Sequence, residues 1–239
     1  MKKWLAITAA IVFSLMLALH MLLSFIMLVG MDKELYKSAQ VADEIYSYAG
    51  ISQETLDRAT IGLIDYMDDK RDDLVILSEP STGRELFNAR EKSHMADVKN
   101  LFTLGKRLNF GLFIAIVFLL IFYLAYDKEG MKRYFMKYCA VTLAIIMGAW
   151  IIIAVLALID FTAFWTTFHK VFFTNDLWLL DPSTDLLIRM MPQRFFIRIL
   201  SEILWRFMVS YILVMGLFTS GHMLMNRDRR NKDKTKGRA

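Results

Sequence analysis

Four stretches of this chain are too long and too apolar to fold in water, and they constrain everything else about it. Residues 4–29, 109–126, 138–159 and 207–225 contain no Asp, Glu, Lys or Arg. Crossing ~30 Å of hydrocarbon at 1.5 Å per residue takes about 20 residues, so each is long enough to span a bilayer as a helix. Helices are required, because a lipid-facing backbone must satisfy its own hydrogen bonds and four spans cannot close a barrel. Composition agrees: 56% of the 239 residues are hydrophobic and the mean hydropathy is positive. The first stretch follows Lys2 and Lys3 like a secretory signal, yet it is long and no small-x-small cleavage site or lipobox cysteine follows it. It is expected to be a retained signal anchor.

Charge gives the orientation. Lys2, Lys3, the connector Lys128, Lys132, Arg133 and Lys137, and seven basic residues from Arg227 to Arg238 face only Asp127, Glu129, Asp228 and Asp233. These segments carry +9 and the remaining inter-span segments −4. Cytoplasmic loops hold the positive excess, so both termini are expected inside. The chain then divides into a first span (1–30), an extracytoplasmic domain leading into the second span (31–108), the second span (109–126), a cytoplasmic loop (127–137), the third span (138–159), an extracytoplasmic interfacial loop (160–206), the fourth span (207–225) and a basic cytoplasmic tail (226–239). The tail directly follows a span, which marks it as an orientation signal and anionic-lipid anchor rather than a nucleic-acid site.

The outer segments carry the chemistry. Ser52 reads as an N-cap, followed by helical spacing at Leu56, Ala59, Leu63, Ile64 and Met67. The charge run 68–73 lacks the ligand pattern of a calcium loop and reads as solvated. Residues 74–77 and 84–87 flank a turn-rich Ser78-Glu79-Pro80-Ser81-Thr82-Gly83, which predicts a hairpin of two short strands. Asn88 with Glu91 three residues on resembles a capping box that starts a helix running through His94 and Asp97 into the second span. The expected fold is an α-helical membrane protein: four transmembrane helices, a small extracytoplasmic α+β insertion and an aromatic-rich interfacial hairpin.

On the helix from Asn88, Arg90, Glu91 and Asp97 all lie within one turn of His94. A carboxylate beside an imidazole raises its basicity, as a general base requires, although a surface ion-pair lattice would have the same spacing. The second segment is crowded with Phe161, Phe164, Trp165, Phe168, Phe172, Phe173, Trp178, Phe195 and Phe196, residue types that sit at headgroup depth. Among them lies His169, followed by Asp181, Asp185, Arg189 and Pro192. Ionisable groups at that depth are costly and mark function. His20 and His222 fall in the spans and are expected to be structural. Cys139, the single cysteine, excludes a disulfide framework and reads as an apolar filler. No zincin, nucleophile-elbow or phosphate-loop motif is present, no cofactor is implied, and two histidines without a spaced third ligand do not make a metal site.

The run Arg90-Glu91-Lys92-Ser93-His94-Met95-Ala96-Asp97-Val98-Lys99, with Phe168-His169, Phe172-Phe173, Trp178, Asp181-Pro182-Ser183-Thr184-Asp185, Leu187-Ile188 and Pro192, is similar to the lipoprotein intramolecular transacylase (Lit) family of Gram-positive bacteria. The similarity covers nearly the whole chain, the basic tail excepted. It implies an enzyme that moves the sn-2 acyl chain of a diacylglyceryl-cysteine lipoprotein onto that cysteine's own α-amino group, leaving a lyso-form lipoprotein. It also implies that His94 and His169 match the family's two functional extracytoplasmic histidines. His169 is expected as the general base, with His94 polarising the carbonyl and Asp97 or Glu91 orienting it, and the two roles could be exchanged. Arg90, Trp178, Asp181 and Arg189 are expected to support the site. The implied partners are diacylglyceryl lipoproteins and membrane lipid, with no nucleic acid. Two other classes stay open: an interfacial lipid hydrolase or acyltransferase with a separate donor, and a non-catalytic sensor or transporter.

Overall fold

The computed structural model describes residues 2–78, 83–125 and 129–236. The order of elements among them is α1 (Lys2–Gly30), α2 (Lys33–Ala42), α3 (Ile45–Ala49), α4 (Gln53–Met67), α5 (Ala89–Ala125), α6 (Glu129–Ile159), α7 (Phe161–Phe172), α8 (Leu186–Met190) and α9 (Gln193–Lys236). Four of them, α1, α5, α6 and α9, are long and apolar enough to cross a membrane. The second is more than a span. Its 37 residues extend about 55 Å, and its charges, from Arg90 to Arg107, all precede the uncharged stretch that starts at Asn109.

The chain forms two compact units. The first comprises residues 1–23, 108–161 and 206–239, the apolar lengths of the long helices. Ala10, Phe13, Ile116, Phe135 and Cys139 form its buried cluster, with Phe13 edge-on to Phe135 and Phe218. Buried Tyr211 gives its hydroxyl proton to the Leu143 carbonyl at 3.0 Å, which satisfies a phenol that water cannot reach. Cys139 is fully buried, as expected of a filler. His20 packs its ring 5.9 Å from that of Phe113, and its Nδ1 has no hydrogen-bond partner among the described residues. The many exposed Leu, Ile, Val and Phe side chains on these helices are the surface that lipid covers.

The second unit comprises residues 24–107 and 162–205. Its core is built on α4, which Ser52 caps by accepting the Thr55 N–H at 3.2 Å. The stripe Leu56, Ala59, Leu63, Ile64 and Met67 is buried against Ile45 and Ala49 of α3, Leu186, Leu187 and Met190 of α8, and Phe195 of α9. Burying a Leu or Ile side chain contributes about 1.5–3 kcal/mol, so this stripe is the unit's main source of stability. Two buried polar side chains among these helices pair with each other. Gln40 of α2 accepts from Thr60 of α4 at 2.9 Å and donates to the Met190 carbonyl of α8 at 3.4 Å, joining three helices through one buried amide.

The expected strands do not form. Among the described residues there is no strand, only one isolated antiparallel bridge between Leu77 and Glu85. Ser78 N–H to Arg84 O (2.8 Å) and Leu86 N–H to Ile76 O (2.7 Å) hold it, and the turn residues 79–82 lie outside the described residues. A lone two-stranded hairpin is marginal, and here Leu74, Ile76 and Phe87 are instead drawn one by one into the helical core. Gly62 makes the approach possible: a Cβ there would stand 2.3 Å from Ile76 Cδ1. The insertion is therefore helical with a pinned loop, not α+β. In 160–206, the expected aromatic hairpin is α7, an irregular segment, short α8 and then the first turns of α9, which start right after Pro192.

Candidate active site

The amino end of α5 is fixed by a reciprocal cap. Asn88 Oδ1 accepts the Glu91 N–H at 3.0 Å and Glu91 Oε2 accepts the Asn88 N–H at 2.8 Å. Glu91 is almost fully buried and uses its other oxygen to accept the Leu187 N–H at 2.6 Å, at the start of α8. Asn88 Nδ2 in turn donates to Asp185 Oδ1 at 2.7 Å, and Asp185 Oδ2 accepts the Asp181 N–H at 2.7 Å. One carboxylate thus closes two helix amino ends, where the backbone N–H groups and the dipole favour negative charge. Burial outweighs those bonds and pushes the Glu91 carboxyl above its ordinary range. Its hydrogen bonds lead to the two helix starts, not to His94 one turn further along.

His94 and His169 come together. Their ring centroids lie 6.0 Å apart, both residues are buried, and Phe173 stands 5.5 Å from the first and 5.6 Å from the second. His169 occupies the last turn of α7 inside an aromatic collar: Trp165 at 4.8 Å, Trp178 at 4.8 Å and Phe168 at 5.4 Å. Its Nδ1 lies 2.8 Å from the Trp165 carbonyl oxygen. A carbonyl only accepts, so in the neutral ring Nδ1 carries the proton and Nε2 keeps its lone pair. The Nδ1 of His94 is buried and has no hydrogen-bond partner among the described residues.

Electrostatics follow from the same surroundings. Burial pulls His169 below the ordinary histidine range, and the Trp165 carbonyl opposes it in part. Burial, and then the neighbouring His169, push His94 down to about 4 against the pull of Asp97. Both imidazoles are therefore neutral near pH 7, one with a directed lone pair, the other in a position to polarise a polar group between them.

The other expected residues hold the collar. Arg90 donates to the Asp176 carbonyl, and Asp97 Oδ2 accepts from Asn175 Nδ2 at 2.9 Å. Two side chains of α5 thereby grip residues 175–176, and the segment lays Trp178 on His169 at a 30° tilt. Asp181 Oδ1 accepts from the Ser183 N–H and hydroxyl, and Arg189 Nε donates to the Asp185 carbonyl at 3.4 Å, so both brace the loop into α8 rather than touch the histidines. Asn175 was not singled out from the sequence, and an Asn in a loop gives no signal of its partner 78 residues away. His222 bonds Asn226 within α9. No group of three His, Cys, Asp or Glu side chains that could hold a metal occurs among the described residues.

Four membrane-length helices mark a multi-pass membrane protein, and its second unit holds a buried imidazole pair in an aromatic collar. The family model for "Lipoprotein intramolecular transacylase Lit" matches residues 11–196, and the chain belongs to that family; it is a lipoprotein acyltransferase of the membrane. Among solved structures it is similar to the membrane-integral lipoprotein intramolecular transacylase Lit from Bacillus cereus, at 22% identity over 99% of this chain and 98% of that one, with a TM-score of 0.65. A second structure of the B. cereus protein, with a His-to-Arg substitution, gives 21% identity, 95% coverage of each chain and a TM-score of 0.69. No curated protein sequence matches the chain.

Proposed function

We propose that the enzyme transfers the sn-2 acyl chain of a diacylglyceryl-cysteine lipoprotein to the α-amino group of the same cysteine. The amine nitrogen attacks the ester carbonyl carbon, a C–N bond forms and the bond to the glycerol oxygen breaks. An α-amino group is largely protonated near neutral pH, so a base must act first. That first proton goes to water; as the free amine attacks, His169 Nε2 takes the second proton from the nitrogen and returns it to the departing glycerol oxygen. His94 remains neutral and donates a hydrogen bond to the oxyanion as it develops. Donor and acceptor belong to one substrate molecule, so the site's contribution is to fold that molecule back on itself, and no acyl-enzyme is needed.

The observation that carries this reading is the 6.0 Å imidazole pair in which the Trp165 carbonyl leaves His169 Nε2 unprotonated. Exposed Val171 and Phe172 beside His169 offer apolar surface to an acyl chain. The site faces the extracytoplasmic side and both termini lie in the cytoplasm. The charge asymmetry of the inter-span segments supports that placement, as does Lys3 near the start of α6, 5.4 Å from the Tyr134 ring. The basic tail lies against anionic lipid and takes no nucleic acid.

Incubating the purified protein with a synthetic diacylated lipopeptide and locating the acyl chains by fragment ions tests the reading. N-acyl, mono-acylglyceryl product from the wild type, absent from His169→Ala, supports it. Free fatty acid as the main product would identify a hydrolase instead, and an intact substrate a non-catalytic protein.

A further inference from the structure

The first unit holds a cavity that the chemistry above does not use. An open cavity of about 210 Å³ is lined by Arg133, Tyr134 and Lys137 of α6 and by His222 and Asn226 of α9. These five side chains are rich in hydrogen-bond donors. The Arg133 guanidinium lies 5.6 Å from the Tyr134 ring centroid and the Lys137 ammonium 5.6 Å from that of Tyr138. Lys3 of α1 sets a third cation over Tyr134. His222 Nε2 lies 3.0 Å from Asn226 Nδ2; an amide nitrogen donates, so Nε2 accepts and Nδ1 carries the ring proton. That Nδ1 is buried and has no acceptor among the described residues.

A cavity lined by a guanidinium, an ammonium, a phenol and an imidazole whose Nδ1–H lacks an acceptor among the described residues suits an anion with several acceptor oxygens. A phosphate matches Arg with two parallel bonds and Lys as a point charge. The helices that line the cavity, α6 and α9, are both of membrane-spanning length, and the tyrosines have the apolar body and polar tip suited to headgroup depth. We infer that this cavity binds a phosphate-ester group, that of an anionic membrane phospholipid. The site is built without the histidine pair and stands or falls separately from its chemistry.

The test is thermal unfolding of the full-length protein in neutral detergent, titrated with phosphatidylglycerol, phosphatidylcholine or inorganic phosphate. Saturable stabilisation by phosphatidylglycerol over phosphatidylcholine is expected. Arg133→Gln/Lys137→Gln should need about thirtyfold more phosphatidylglycerol, whereas Lys37→Gln/Lys70→Gln, which removes two cations of the second unit that pair with Glu34 and Asp68, should titrate like the wild type. Stabilisation by inorganic phosphate alone that the pocket variant loses supports the site and makes its source free phosphate. Equal titration of wild-type and pocket variants, equal loss in the Lys37/Lys70 variant, or no preference for either phosphate source overturns the proposal. If the double variant does not fold, His222→Phe keeps both charges and removes the orphan donor; it should weaken phosphatidylglycerol binding about threefold to tenfold, and an unchanged titration overturns the proposal as well.

Discussion

At the scale of single residues, the account rests on protonation states that burial sets. A histidine held below its ordinary value of about 6.5 is protonated in the unfolded chain at a pH where the folded chain keeps it neutral, so stability falls as the pH drops below that value. The neutral, catalytic form persists over the same interval and is lost only once the folded value is crossed, which for His94 is about 4. The acid limb of kcat/KM is therefore expected below about 6.5, where a water-exposed imidazole base would place it. Trp178→Ala removes a ring stacked 4.8 Å from His169 and lets water in, so the limb should move upward toward that value. A limb unmoved by this change would show that Trp178 does not keep His169 dry. His169→Ala and His94→Ala should each lower the rate by about 10²–10⁴-fold while the protein stays in the membrane.

At the scale of elements, some of the site was legible and some was not, for a reason of distance along the chain. The Asn88–Glu91 box and the Ser52 cap read directly from the sequence because both partners lie within one turn. The α4 stripe was legible for the same reason. The second bond of Glu91, to Leu187, joins residues that no local pattern connects, and so Glu91 read as a neighbour of His94 rather than as the clamp between α5 and α8. Helices α2 and α3 went unread because their buried faces are short, and α2 buries a glutamine whose partners lie on other helices. The 74–87 segment read as strands from its apolar runs, which in fact anchor a loop. The clamp gives a measurable consequence: Glu91→Ala leaves the buried Leu187 N–H and the partly buried Asn88 N–H without their acceptor and should cost about 1–3 kcal/mol in unfolding experiments, with Glu91→Gln milder because one acceptor remains. A near-neutral Glu91→Ala would refute the clamp.

At the scale of the whole molecule, the fold class followed from four uncharged stretches, since nothing else satisfies a backbone in lipid. The pairing of His94 with His169 could not be read that way, because 75 residues, two apolar stretches and a connector separate them in the chain. The resemblance to a family linked them, and the 6.0 Å separation is a property of the folded second unit. Topology has its own test. In a Cys139→Ser background, Lys92→Cys should react with a membrane-impermeant maleimide in intact cells and Arg230→Cys only after lysis; the reverse pattern would put the histidines on the wrong side of the membrane.

The most direct measurement is a crossover experiment. Two diacylated lipopeptides of different peptide mass, one with an isotope-labelled sn-2 chain, are mixed with the purified enzyme and the products resolved by mass. An acyl shift within one substrate molecule, driven by the imidazole pair, predicts that every N-acylated peptide keeps its own sn-2 label and that His169→Ala yields neither product. Labelled chains on the unlabelled peptide, or undiminished product from His169→Ala, would contradict it.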